Sequence, residues 1–193
     1  RNPIPKPSPG VGGYCLTKDP ILLCNNAQGK KGHPRLSKLG RAANERAAQY
    51  PVTILKRFAA KNNIILSKIK VVVMGLAFKG VPETTDIRGS VSVSVINKIQ
   101  SIVKNVKCWD AVVPRTVMVK AGINYVVNLS KGIKDAHVVL VLNNHPGNVR
   151  SEILQPSAKK RLIFDGWYQF DAAEIENVKG LTYATMGYST ENI

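Results

Sequence analysis

The sequence predicts an α/β protein built on a doubly wound parallel sheet, preceded by a long helix and a glycine-rich loop. Three apolar runs at residues 69–74, 138–142 and 161–165 have the length and the Val, Ile and Leu content of buried strands. Amphipathic segments separate these runs, and alternating strands and helices favour a parallel sheet covered on both faces. A further segment, 36–62, is rich in Ala, Leu, Lys and Arg and repeats its apolar residues at helical spacing.

The first third of the chain is predicted to be irregular and then helical. Residues 1–13 are rich in Pro and Gly, a first helix is expected to begin at Asp19 and Pro20, and residues 25–34 form a polar loop. Pro51 should kink or divide the long helix, because proline cannot donate the helical hydrogen bond. The apolar positions of the long helix are Leu36, Leu39, Ala43, Ala47, Val52, Leu55 and Ala59.

From residue 68 onward, strands and helices alternate. Strands are predicted at 69–74, 106–109, 123–127, 138–142 and 161–165, and helices at 90–103, 114–121 and 130–135. Ligands of such sheets bind outside the carboxyl ends of the strands. Those ends should place residues 75–79, Asp110, residues 143–145 and residues 165–166 around one crevice.

The charge of the chain limits the classes of partner that it is expected to bind. The 193 residues, enough for one domain with an appendage, carry a formal net charge of +16. Residues 1–70 hold 14 Lys and Arg against two acids, whereas residues 71–193 hold 14 against ten. This balance fits a phosphate-rich ligand, nucleic acid, an anionic surface, or a piece of a longer protein whose other part is acidic. Because no basic stripe interleaved with aromatic residues occurs, nucleic acid is not the expected partner.

Hydropathy and cysteine usage indicate a cytoplasmic protein. No apolar run approaches the roughly 20 residues of a membrane span, and no signal peptide is evident. Cys15, Cys24 and Cys108 are odd in number and lack metal-ligand spacing, which favours a reducing compartment without disulfides and no metal site. Cys24 and Cys108 have apolar neighbours and are expected to be inert core residues.

The loop Gly10-Val11-Gly12-Gly13-Tyr14-Cys15 is the strongest chemical signal in the chain. Its three glycines allow close approach of a ligand, and main-chain N–H groups at a helix start favour anions, including a thiolate. Lys18 adds a positive charge nearby. The loop therefore predicts an activated nucleophile at Cys15, with a glycine turn around a buried structural cysteine as the alternative.

Three motifs together resemble one enzyme family. Gly-Val-Gly-Gly-x-Cys-Leu-x-x-Asp-Pro at 10–20, Gly-Leu-x-Phe-Lys at 75–79 with Asp-x-Arg-x-Ser at 86–90, and Asp-x-x-x-Pro at 110–114 follow one another as in the nucleotide-sugar dehydrogenases. This is the UDP-glucose/GDP-mannose dehydrogenase family, and the resemblance runs from residue 9 to about 170. The segment 75–80 lacks the G-x-G-x-x-G spacing of a dinucleotide fingerprint.

The resemblance implies a division of the chain and a missing part. Residues 1–33 would be a catalytic-loop segment, 34–66 a connecting and dimerisation helix, and 67–193 a Rossmann-like UDP-binding domain. The family's N-terminal NAD-binding domain has no counterpart here, so the chain is expected to be a C-terminal fragment that is inactive alone and forms a homodimer. The alternative reading of the helix is an ordinary surface helix.

The resemblance also implies roles for individual residues. Cys15 would attack an aldehyde intermediate and Asp19 would position water or transfer a proton, while Lys18 and Arg88 would line the cofactor side. The substrate-binding residues would be Gly10, Gly12, Gly13, Tyr14, Phe78 and Lys79, with Phe78 against the uracil. Otherwise Phe78 would be a core aromatic residue and Lys79 a solvated lysine.

The implied reaction is NAD-dependent oxidation of a UDP-sugar at C6 to a carboxylate. The Gly-Val-Gly-Gly sequence is more similar to the UDP-N-acetylmannosamine branch than to the UDP-glucose branch. Tyr14 stands where that branch usually has histidine, and Trp167 where many members have arginine. A stand-alone UDP-sugar-binding module and a basic nucleic-acid-binding protein remain as alternatives.

Overall fold

The computed structural model describes residues 4, 6–27, 34–191 and 193. The predicted polar loop at 25–34 lies mostly outside the described residues, as does part of the entry segment at 1–13. The helices are α1 (Tyr14–Asn26), α2 (Arg35–Ala47), α3 (Tyr50–Lys61), α4 (Val91–Gln100), α5 (Arg115–Lys120), α6 (Leu129–Asp135) and α7 (Ala172–Glu176). The strands are β1 (Lys70–Met74), β2 (Asn105–Trp109), β3 (Val138–Val141), β4 (Arg161–Asp165), β5 (Leu181–Thr185) and β6 (Tyr188–Ser189).

The six strands form one sheet in the order β2-β1-β3-β4-β5-β6. The first five strands are parallel, and β6 pairs antiparallel with β5. Val71 of β1 lies opposite Val106 of β2 and Val138 of β3, so β1 occupies the interior between strands that follow it in sequence. The strand order therefore reverses between β1 and β3, which confirms the predicted doubly wound α/β class.

Helices cover both faces of the sheet because successive strand residues point to opposite sides. Val71 and Val73 pack with residues of α3 and α4, whereas Val72 and Met74 pack with residues of α6 and α7. Every residue of β3 and β4 is buried, as the continuous apolar runs predict for a parallel sheet covered twice.

The predicted long helix is divided at Pro51. Helix α2 ends at Ala47, and α3 begins at Tyr50 with Pro51 in its first turn, where proline loses no helical hydrogen bond. The two halves differ in burial. Helix α3 buries Pro51, Val52, Ile54, Leu55, Phe58 and Ala59, whereas α2 has no buried residue.

Two predicted elements differ from the structure. Helix α1 begins at Tyr14 rather than at Asp19, because the Thr17 N–H donates to the Gly13 carbonyl at 3.1 Å and closes a turn five residues earlier than Asp19 would. The strand predicted at 123–127 is a single parallel bridge between Tyr125 and Cys108. Strands β5 and β6 and helix α7 were not predicted from the sequence.

Candidate functional site

The loops that follow β1 and β3 meet at the reversal of strand order and are bonded to each other. The Asn143 amide donates to the Ala77 carbonyl at 3.2 Å, and the Gly80 N–H donates to Asn144 Oδ1 at 2.8 Å. A Cβ on Gly80 would collide with the backbone of His145, so glycine is required for this approach. The two loops are therefore held together at the place where the sequence predicts the crevice.

Asp110, at the carboxyl end of β2, braces the β1 loop. Its Oδ2 accepts the N–H groups of Leu76 at 2.6 Å and Ala77 at 3.2 Å, and its Oδ1 accepts those of Val112 and Val113 at 2.8 and 2.9 Å. The carboxylate is buried. Asp110 is therefore a positioning residue whose lone pairs are committed to main-chain donors.

Asp165 braces the loop after β4 in the same way, by accepting hydrogen bonds from main-chain N–H groups. It is fully buried, and its carboxylate accepts the N–H groups of Trp167, Gln169 and Phe170 and the Tyr183 hydroxyl. Burial raises the pKa of the Tyr183 hydroxyl, and the adjacent carboxylate raises it further. Residues 165–166 were expected to line the crevice. Asp165 is instead buried, and its carboxylate holds the loop after β4 in place through these hydrogen bonds.

The glycine-rich loop docks on the start of α4. The Gly13 N–H donates to the Gly89 carbonyl at 3.1 Å, and a Cβ on Gly12 would lie 2.5 Å from the same oxygen. From the other side, Asn44 of α2 accepts the Val11 N–H at 2.7 Å and donates to the Val11 carbonyl at 3.1 Å. Two elements distant in sequence therefore hold the backbone that leads into Cys15.

Cys15 lies in the first turn of α1 and is an exposed free thiol. This exposure excludes the alternative of a buried structural cysteine. Cys24 and Cys108 are buried, as predicted, and burial raises the pKa of the Cys108 thiol to about 12. Among the three thiols, only Cys15 is open to a substrate.

Tyr14 is flanked by two cations. The Arg88 guanidinium lies 5.4 Å and the Lys18 ammonium 5.7 Å from the centroid of its ring, both within cation–π range. Lys18 also pairs with the exposed Asp19 at 2.5 Å, and this hydrogen bond raises the pKa of Lys18. In this arrangement the Asp19 carboxylate is therefore engaged in an ion pair with the Lys18 ammonium.

Arg88 is held in place by Asp86. Its Nε and Nη2 donate to the Asp86 carboxylate at 2.7–3.0 Å, and its main-chain N–H donates to Oδ1 at 2.9 Å. The side-chain hydrogen bonds from Arg88 are the main cause of the lowered pKa of Asp86. Because the Arg88 side chain is still 70% exposed, its outward N–H groups are open to an anionic ligand.

Phe78 and Lys79 lie half-buried beside the glycine-rich loop. A Cβ on Gly13 would lie 3.0 Å from the Phe78 ring, so the two segments are in contact. The Lys79 ammonium lies 5.4 Å from the centroid of that ring. Phe78 is thus not a core residue, and a base could stack on the face that Lys79 covers once this flexible side chain moves.

Contacts of Gly13 with Phe78 and of Tyr14 with Arg88 bring the two segments that carry the ten predicted site residues together. Gly10, Gly12, Gly13, Tyr14, Cys15, Lys18 and Asp19 arrive on the loop and α1, and Phe78, Lys79 and Arg88 on the segment after β1. Asn143 lies beside the β1 loop, where residues 143–145 were expected from the end of the preceding strand. Asn44 and Asp86 were not predicted as site residues. The Asp-x-Arg spacing was a usable signal for Asp86, whereas no pattern marked Asn44.

A nicotinamide dinucleotide does not fit the loop after β1. Such a site needs free main-chain N–H groups for the pyrophosphate and a free carboxylate at the end of the next strand for the ribose. Here the N–H groups of Leu76 and Ala77 are bonded to Asp110, which is itself that carboxylate. A side chain at Gly75 would also collide with Asn143.

Neither a metal-binding cluster nor a membrane-spanning helix is found in the described part of the chain. Residues 6–27 and 34–191 contain no cluster of three or more His, Cys, Asp or Glu side chains able to hold a metal ion. No described helix has the length and hydropathy to span a bilayer.

Known proteins match this chain in sequence. The family described as UDP-glucose/GDP-mannose dehydrogenase family, UDP binding domain, matches residues 72–172. A UDP-N-acetyl-D-mannosamine dehydrogenase from Pyrococcus horikoshii is 33% identical over 168 residues, covering 86% of this chain and 37% of that protein. A UDP-N-acetyl-D-glucosamine 6-dehydrogenase from Pseudomonas aeruginosa is 28% identical, covering 83% of this chain and 38% of its own length. This chain therefore spans less than two fifths of these relatives.

The fold matches as well. The solved structure of the UDP-D-ManNAc dehydrogenase from Pyrococcus horikoshii superposes with a TM-score of 0.77 and 29% identity over 97% of this chain and 41% of that one. A UDP-glucose dehydrogenase from Pyrobaculum islandicum shares the fold with a TM-score of 0.73 over 92% of this chain and 38% of its own. None of these matches favours a nucleic-acid-binding protein. The chain belongs to the UDP-glucose/GDP-mannose dehydrogenase family, and residues 72–172 are its UDP binding domain.

Proposed function

We propose that this chain forms the nucleotide-sugar side of an NAD-dependent UDP-sugar 6-dehydrogenase. The observation that carries the proposal is the contact between the two motif segments. The loop leading to the exposed thiol of Cys15 packs through Gly13 on Phe78, beside Lys79 and Arg88. A thiol within reach of a nucleotide-binding edge is what covalent oxidation of a UDP-linked sugar requires.

Cys15 is the proposed nucleophile. Its sulfur would add to the C6 aldehyde of the sugar to give a thiohemiacetal. With NAD supplying the two-electron oxidation this adduct would become a thioester, which water would then cleave to the carboxylate and the free thiol. A thiol suits both events, because it adds readily to carbonyl carbon and its thioester is open to water. Asp19 would orient that water or move its proton, and this role requires its pair with Lys18 to open. Glycines 10, 12 and 13 leave room beside the sugar.

The nucleotide would lie across the crevice between β1 and β3. Phe78 would contact the uracil, and Lys79 would face the diphosphate, where cationic donors are favoured. Tyr14 would pack against the sugar. We further propose UDP-N-acetylmannosamine as the sugar nucleotide, supported by the names of the Pyrococcus relatives and by the Gly-Val-Gly-Gly sequence.

NAD, the oxidant that the family implies, is proposed to bind outside these 193 residues. The β1 loop does not fit a dinucleotide, because its main-chain donors are already bonded to Asp110. Lys18 and Arg88 are the groups of this chain proposed to face the cofactor. The carboxylate-forming activity is accordingly expected only from the longer protein.

A homodimer is proposed through α1 and α2. The apolar surface expected on the whole 36–62 segment is confined to its first half, since α3 is buried in its own domain. Leu36 and Leu39 are 84% and 63% exposed, and Ile21, Leu22 and Leu23 of α1 are about half exposed. Sedimentation should show a dimer that Leu36→Glu with Leu39→Glu converts to a monomer. A strict monomer of the unmodified chain at high concentration would contradict this.

Titration calorimetry with UDP tests the proposed function. We expect UDP to bind the chain, and Phe78→Ala or Lys79→Gln to weaken binding by about tenfold each, as for loss of a stacking or charged contact. Lys56→Gln, which removes an exposed lysine of α3, is the matched control and should leave the affinity unchanged. NAD binding more tightly than UDP, or UDP binding that is insensitive to Phe78, would refute the assignment.

A further inference from the structure

A basic groove lies at the opposite end of the sheet from the crevice. Two adjoining cavities of about 380 and 420 Å³ open beside the amino-terminal ends of β1 and β2 and share Asn105, Lys107 and Tyr125. Their lysines are Lys70, Lys104, Lys107 and Lys131, which define the basic groove. Volumes of this size are typical of small-ligand sites.

The positive charge of the basic groove is only partly neutralised by the protein. Among the residues that the structure describes, Asp135 is the one carboxylate that lines it. None of its four lysines takes part in an ion pair between described residues, whereas Lys18, Lys61 and Lys160 do. Like charges gathered on a concave surface raise the local concentration of anions.

The positive charge of the basic groove affects the pKa values of neighbouring side chains. Lys159 and His137 lie next to it, and both have lowered pKa values, mainly through burial and further through repulsion by Lys70. The Lys159 ammonium donates to the Asp135 main-chain carbonyl at 2.7 Å rather than to a carboxylate. The folded chain therefore maintains an excess of cations at this end, which Asp135 offsets only in part.

We propose that the basic groove binds a compact anion carrying two or more phosphoryl groups, at a site separate from the nucleotide crevice. Lysine ammonium groups act as point charges that suit phosphoryl oxygens from any direction. The amides of Asn105 and Asn124 add neutral donors and acceptors to the lining. Because the groove and the crevice lie at opposite ends of β1, the two ligands would bind together.

Binding at the basic groove should also stabilise the fold. An anion that relieves repulsion among the lysines binds the folded chain in preference to the unfolded one. The melting temperature should therefore rise with anion concentration, as linkage requires. Added salt should weaken the effect, because the interaction is between exposed charges.

Inorganic triphosphate is the probe, used in calorimetry and in thermal melting of the full chain. The double variant Lys107→Gln with Lys131→Gln should bind triphosphate about five- to tenfold more weakly, as for the loss of two charge pairs. The control, Lys38→Gln with Lys56→Gln, removes the same charge from α2 and α3 and should bind as the unmodified chain does. Phe78→Ala with Lys79→Gln, which removes the proposed contacts to UDP in the nucleotide crevice, should bind triphosphate as the unmodified chain does.

Three outcomes would overturn the proposal. These are the absence of triphosphate binding, an equal loss in the Lys107/Lys131 and Lys38/Lys56 variants, and a loss as large in the Phe78/Lys79 variant of the nucleotide crevice. The two lysine variants remove like charges from exposed positions, so melting without ligand should confirm that both fold. The test is independent of the proposed function, because loss of UDP binding through Phe78→Ala leaves the triphosphate result unchanged.

Discussion

Replacing Asp110 by alanine should be among the most damaging single changes to the nucleotide site, although Asp110 touches no ligand in the proposal. The substitution removes the acceptor for four main-chain N–H groups that set the paths of residues 75–78 and 110–113. Leu76, Ala77 and Val113 are buried, and Val112 is half-buried. The variant therefore leaves three donors with little access to water.

The expected size follows from those donors. Each buried N–H left without a partner costs about 1–3 kcal/mol, and water entering the space of the lost carboxylate recovers part of this. We expect Asp110→Ala to lower the free energy of unfolding by about 3–5 kcal/mol, a large share of the roughly 5–15 kcal/mol of a typical domain. Asp110→Asn keeps one acceptor oxygen and should lose about 2 kcal/mol.

Urea unfolding followed by circular dichroism measures the difference. Asp171→Ala is the matched control, since this aspartate accepts one N–H, that of Ala173, at the exposed start of α7. Its loss should cost about 1 kcal/mol, as for an ordinary helix cap. If Asp110→Ala is no more destabilising than Asp171→Ala, the bracing role is wrong. In the variant that remains folded, UDP affinity should also fall.

Three further predictions concern other parts of the molecule. Gly12→Ala should destabilise the chain by about 1–3 kcal/mol in urea unfolding, because its Cβ would lie 2.5 Å from a carbonyl oxygen, whereas Gly40→Ala in open space on α2 should stabilise it by about 0.5–1 kcal/mol. Lys61 lowers the pKa of Glu191 below the ordinary 4.5, so the ion pair stabilises the fold above that value and is lost as pH falls through the lower folded pKa. The stability deficit of Glu191→Gln, about 0.5 kcal/mol at neutral pH, should thus vanish in acid unfolding curves. Cys108, with its pKa near 12, should resist iodoacetamide at pH 8 until urea unfolds the chain, as mass spectrometry would show.

The strands that sequence reasoning identified are those built from unbroken apolar runs. Strands β1, β3 and β4 were predicted within about one residue, because burial on both faces demands such runs. Strand β5 was missed because it contains two threonines. Thr182 and Thr185 are nonetheless buried, and their hydroxyls donate to Glu191 and to the Asp165 carbonyl. Side-chain hydrogen bonds allowed polar residues into the core, and no periodicity reveals them.

In the candidate site, too, some features could be predicted from the sequence and others could not. The motif residues Cys15, Phe78 and Arg88 could be named from the sequence because their side-chain chemistry is distinctive. The hydrogen bonds that hold them in place could not be predicted. Asn44 bonds to the backbone of a loop 33 positions earlier, and Asp110, although named as a motif residue, bonds to a backbone segment 34 positions earlier. The fold decides which main-chain atoms these side chains bind, and residue type and spacing do not reveal it.

Cys15 and the nucleotide crevice are proposed to be parts of one site. Brief iodoacetamide treatment of the folded chain, with and without saturating UDP-N-acetylmannosamine, tests this proposal by mass spectrometry of the three cysteine peptides. We expect Cys15 to be alkylated first, the UDP-sugar to slow this alkylation at least about fivefold, and Phe78→Ala to raise about tenfold the UDP-sugar concentration needed for this protection. Alkylation of Cys24 or Cys108 ahead of Cys15, or a Cys15 rate that the UDP-sugar leaves unchanged, would contradict it.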